Sequence, residues 1–179
     1  MLQNQDNLYL NKNVFHDLLK GKEVSANLLK AQLDYLDWKA EDVFQVCLIT
    51  VAKEYQDVGS RSLISNQIRR NTANVYVTTL KDAVMCIFNL RFVDREGLAE
   101  CVKQILHKDI GYTIGFSNPM RGLDQLARYY EQAQAAITYG KLLNPKKHNF
   151  YFYDYALYYM LENSDVPRLY CAMNSDIKM

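Results

Sequence analysis

The chain has 179 residues, 49% of them hydrophobic and 23% charged, the profile of an ordinary globular protein of about one domain with enough apolar material for a sizeable core. A formal net charge of +1 and an isoelectric point near 7.6 exclude the basic field that grips a phosphate backbone, so this chain is not expected to bind nucleic acid directly. No apolar run reaches the ~18 residues of a membrane span, and Met1-Leu-Gln-Asn-Gln-Asp6 lacks the basic and apolar regions of a signal peptide; the expected compartment is the cytoplasm, with no membrane partner.

Residues 1–12 carry no period and are expected to be a flexible terminus. Val14, Phe15, Leu18 and Leu19 make a short amphipathic helix that Gly21 interrupts, and Leu29, Leu33 and Leu36 continue at helical spacing behind a Ser25 N-cap. Val43 to Ala52 is a nearly continuous β-branched and apolar run, as expected of a central strand covered on both faces. Ser60 to Arg70 predicts a helix carrying Leu63, Ile64 and Ile68. Val75 to Thr79 alternates as a strand, turns at Leu80-Lys81-Asp82 and returns as Ala83 to Leu90. Asp94 can cap a helix whose Leu98, Cys101, Val102, Ile105 and Leu106 form an inward stripe.

Gly111 to Ser117 is the next strand. From Leu123 a long helix sets Leu126, Ala127, Tyr130, Ala133, Ala136, Ile137 and Gly140 on one face. Asp124, Gln125, Arg128, Glu131, Gln132 and Gln134 fall on the other. Phe150 to Tyr153 predicts a last strand, and a short helix follows through Leu157 and Leu161. After the two leading helices the order β-α-β-β-α-β-α-β describes an α/β (α+β) sandwich: a ferredoxin-like β-α-β-β-α-β core with an added αβ unit. Nothing supports a boundary within residues 13–162. Residues 163–179 lose the period and fit a tail or linker, of either a truncated or a complete protein.

Little in the chain points to chemistry. His16, His107 and His148 are isolated, without a second ligand at helical spacing. Nucleophile elbows and phosphate-binding glycine loops are absent, and Gly111-Tyr-Thr-Ile-Gly115 lies in a strand rather than opening a helix. Arg69-Arg70 and Lys146-Lys147-His148 are explained by solvated charges. Cys47, Cys86, Cys101 and Cys171 are widely spaced within apolar patterns and are expected to be buried free thiols. The tyrosine-rich end, Tyr151 to Tyr159, combines apolar area with polar tips and suits either an interface or packing around a strand and helix.

The order of residues is more specific than the periodicity. Phe15-His-Asp-Leu-Leu-Lys-Gly21, the block Gly115, Ser117, Pro119, Gly122, Leu123, Leu126, Tyr130, Ala133 and Ala136, and Phe152-Tyr153-Asp154 together resemble the GGDEF-like domain of bacterial transcriptional regulators of the PucR/CdaR type, over residues 13–162. The central block also resembles the equivalent domain of some response regulators with AraC-type DNA-binding domains. The family is named for its similarity to diguanylate cyclases. Those enzymes need two hairpin glycines for close approach of a guanine nucleotide, and carboxylates on the hairpin and first strand to hold Mg²⁺. Here the corresponding hairpin is Leu80-Lys81-Asp82-Ala83, with both glycines missing and one carboxylate left, and Thr50 and Ala52 stand about where metal-binding aspartates would be.

The resemblance therefore implies a non-catalytic regulatory and dimerisation domain, not an enzyme, without cofactor or metal. It would relay a signal to a helix-turn-helix module beyond Met179 that supplies the DNA contact. A homodimer is expected, with Phe15, Leu18, Tyr155, Tyr158 and Tyr159 as candidate interface residues. The alternatives are a small-molecule sensor with an unknown effector, the AraC-type equivalent, and a degenerate nucleotide cyclase.

Overall fold

A computed structural model describes residues 14–52, 57–105 and 111–164 of the chain. The expectations for residues 1–12 and for the stretch after Ser164, with His107, Leu106 and Cys171, lie outside the described residues. Helical residues 14–19 (α1) lead to α2 (Ala26–Tyr35), which begins where Ser25 Oγ accepts the Leu28 N–H at 3.3 Å. The elements that follow are β1 (Val43–Val51), α3 (Val58–Asn71), β2 (Val75–Thr79), β3 (Val84–Asn89), α4 (Arg95–Ile105) and β4 (Tyr112–Phe116). Then come β5 (Met120–Arg121), α5 (Leu126–Leu143), β6 (Asn149–Tyr151) and α6 (Phe152–Asn163).

The sheet runs β2-β3-β1-β4-β6, with β5 paired to the start of β1. Strands β2, β3, β1 and β4 are antiparallel neighbours, in the order a β-α-β-β-α-β core produces, and β6 adds parallel to β4 through the α5 crossover. The expected fold is thus present, and β1 is central. Its side chains alternate between two cores. Phe44, Val46 and Leu48 join Met85 and Ile87 beneath α1, α2 and α5, where Phe15, Leu33, Ala133 and Ile137 close the layer. Cys47, Ile49 and Val51 join Cys86 and Phe88 beneath Ile64 and Ile68 of α3 and Leu98 and Val102 of α4. A third cluster of Ala135, Ala136, Phe150, Phe152 and Tyr155 seats α6 on α5.

Several expectations need correction. Helix α3 starts earlier than Ser60, because Asp57 caps it through the Ser60 N–H at 2.9 Å, and its Leu63 points to solvent. The last strand stops at Tyr151, since Phe152 already opens α6. Strand β5 was not anticipated, because two residues have no period to detect. Gln132 was expected on the outer face of α5, yet it is buried, with Asn118 donating its N–H to Gln132 Oε1 at 3.0 Å; Ala135, buried as well, is covered by α6. Asp94 caps α4 as expected, its carboxylate accepting the Gly97 N–H at 2.6 Å. Cys47 and Cys86 are buried free thiols directly opposite each other across β1 and β3, and burial pushes the Cys47 thiol well up.

Candidate functional site

The antiparallel register carries the end of β1 to the hairpin. Ile49 pairs with Val84, so Thr50, Val51 and Ala52 run alongside the Leu80–Ala83 turn. That turn is closed by the Leu80 N–H donating to the Ala83 carbonyl at 2.8 Å. Ala83 is buried, Leu80 packs on the core, and Lys81 and Asp82 are exposed. On the other flank Ala52 donates its N–H to the Gly111 carbonyl at 2.7 Å, and Thr50 Oγ1 is buried without a hydrogen-bond partner. The residues expected to meet do meet, at one end of the sheet. They supply a lysine ammonium, one exposed carboxylate, a hydroxyl and methyl groups. Two-metal phosphoryl chemistry needs several carboxylates converging on the phosphates, and Thr50, Ala52 and Ala83 offer none. Among the described residues no three His, Cys, Asp or Glu side chains form a metal-holding group.

The Gly115 to Ala136 block is explained by how closely α5 crosses the sheet. A Cβ on Gly115 would lie 2.2 Å from the Ala133 carbonyl oxygen, and one on Gly140 would lie 2.2 Å from the Phe150 ring. A glycine on β4 under the helix, and alanines and Gly140 on the helix, are therefore what the crossing requires. Ser117 replaces a strand residue where β4 gives way to β5. Its Oγ accepts the Val46 N–H at 3.0 Å, its own N–H donates to the Val46 carbonyl at 3.0 Å, and its carbonyl accepts from Gln45 Nε2 at 2.5 Å. This block builds the fold: period already places Ala133 and Ala136 on the inward face of the helix, whereas the partners of Gly115 and Ser117 are far away in the chain.

The candidate interface is divided by the structure. Phe15 and Leu18 are core residues: the Phe15 ring sits 4.4 Å from that of Tyr76 and 6.1 Å from Trp38, fully buried. Tyr155 is 4% exposed against Phe150. None of the three can present a surface without unpacking the monomer, which corrects that expectation. Tyr159 is half-buried against Phe152, and only Tyr158 is exposed. The outward apolar side chains of α6 are instead Tyr153, Leu157, Met160 and Leu161, each roughly half exposed, at i, i+4, i+7 and i+8 on one helix face.

A family model described as the GGDEF-like domain matches residues 21–139, two thirds of the chain, including the hairpin and the Gly115 to Ala136 block. The chain belongs to this family. Comparison with curated proteins gave no match. Among the described residues no helix is long and apolar enough to cross a membrane.

Proposed function

We propose that this GGDEF-like domain is a non-catalytic regulatory and dimerisation domain of a bacterial transcriptional regulator of the PucR/CdaR type. It passes a signal to a DNA-binding module that is not among the described elements. The observation that carries the reading is the set of residues standing at the hairpin end: Thr50, Ala52 and Ala83 stand beside an exposed Lys81 and a single exposed carboxylate, Asp82, less negative charge than a nucleotide–metal site requires. The test is incubation of the purified chain with GTP or ATP and Mg²⁺. No cyclic product is expected, and turnover that disappears in Asp82→Ala would overturn the reading in favour of a degenerate cyclase.

The dimerising part of the reading is supported by α6. A two-fold contact uses one patch twice, and the Tyr153, Leu157, Met160 spacing of four and three is that of a helix-pairing seam. The partner proposed for this face is a second copy of the chain.

A further inference from the structure

Beside the edge strand β2, helices α1 and α3 bracket a cleft of about 440 Å³, within the volume range of small-ligand sites. One wall is a stripe of α3: Ser62, Ser65, Asn66 and Arg69 recur at i, i+3, i+4 and i+7, so one helix face lines it with hydroxyls, an amide and a guanidinium. The floor is Tyr76 with Thr78, on β2, and His16 of α1 stands on the rim. Among the described residues no carboxylate lines the cleft.

Arg69 is the informative residue. Its guanidinium donates to the Val77 carbonyl on the edge strand β2, which holds the group in place and leaves its other N–H donors unused by that bond. Among the described residues no ion pair includes Arg69. Tyr76 is fixed by the Phe15 ring and is hydrogen-bonded to Thr78, and burial raises its phenol. A preorganised guanidinium among hydroxyl and amide donors, with no competing carboxylate, is the donor set that recognises anionic oxygens.

We infer that the α1–α3 cleft binds a small anion bearing a carboxylate or phosphate group, held by Arg69 with Asn66, Ser65 and Thr78. The site deepens the regulatory reading by giving it a class of effector. Because the ligand would touch both α3 and β2, binding couples that helix to the sheet edge and supplies a route for a signal.

The test is an amide NMR titration of the full chain with inorganic phosphate, with malonate and, at matched ionic strength, with sodium chloride. Saturable shifts at Asn66, Arg69 and Thr78 are expected for phosphate, malonate or both, and which anion acts separates a phosphate ligand from an organic acid. Arg69→Gln keeps a donor for the Val77 carbonyl but removes the charge, and Asn66→Asp, at an exposed position, places a carboxylate beside Arg69. Each should weaken binding roughly tenfold or more while leaving the spectrum dispersed. Shifts that match chloride, map away from the cleft, fail to saturate or persist unchanged in Asn66→Asp would overturn the inference. The titration reads binding alone, so it can fail while the turnover test succeeds, and the reverse.

Discussion

At the scale of single residues, buried polar groups fix where the loops meet the sheet. The Asp42 carboxylate accepts the Lys39 N–H at 2.8 Å and Asn89 Nδ2 at 2.6 Å, with Arg91 3.7 Å away. Burial pushes its pKa up, but these partners together hold it below the ordinary value. A carboxyl depressed in the folded state contributes stability above its unfolded pKa and loses it as pH falls through the folded one. The acid limb of the stability curve should therefore flatten in Asp42→Asn, as read by urea unfolding from neutral pH to pH 3; an unchanged limb would show that Asp42 contributes nothing to it. Ser117→Ala is expected to cost about 1–3 kcal/mol, because the Val46 N–H it leaves behind is buried. Chemical denaturation measures that loss directly.

At the scale of elements, α5 carries most of the packing information. Ala133 is fully buried with its carbonyl against Gly115, so Ala133→Leu should overpack the crossing by about 1–3 kcal/mol. Gln132→Leu should not be silent. It removes the acceptor of the Asn118 N–H and should cost about 1 kcal/mol, whereas Arg128→Ala, on the exposed face, should change stability by less than about 0.5 kcal/mol. Thermal unfolding of the three variants would reveal a wrong assignment of the helix faces if Arg128→Ala proved the most damaging. Helix α6 is tied to α5 by the Tyr139 hydroxyl donating to Glu162, and that bond is the main reason the phenol is pushed up to about 12. A raised phenol pKa stabilises the folded state below pH 10 and loses that contribution as pH rises through about 12.

At the scale of the whole molecule, the predictions concern association and DNA. If the α6 face pairs with a second copy, sedimentation should show a concentration-dependent dimer that Leu157→Asp shifts to monomer, since a charge on an apolar seam must be desolvated. A strict monomer through the millimolar range would count against a dimerising role. Duplex DNA should bind only weakly even at low salt, because counterion release needs clustered cations and the net charge is +1. A sequence-selective gel shift at submicromolar protein would move DNA recognition into this chain.

Local order along the chain was enough to determine the caps at Ser25 and Asp94, the β2–β3 hairpin, the α/β order and the residue block by which the family is recognised. Each depends on neighbours a few residues apart, and helical or strand period exposes them. Period shows that Phe15, Leu18 and Tyr155 lie on apolar faces but not what covers those faces, and tertiary contact with Trp38, Tyr76 and Phe150 turned candidate interface residues into core. Gln132 and Ala135 were hidden for the same reason, since Asn118 and α6 arrive from elsewhere in the chain. The α1–α3 cleft is likewise a product of tertiary structure alone. Its donors come from three elements, and only the folding of α1 and α3 against the two sides of β2 brings His16, Asn66, Arg69 and Thr78 around one space.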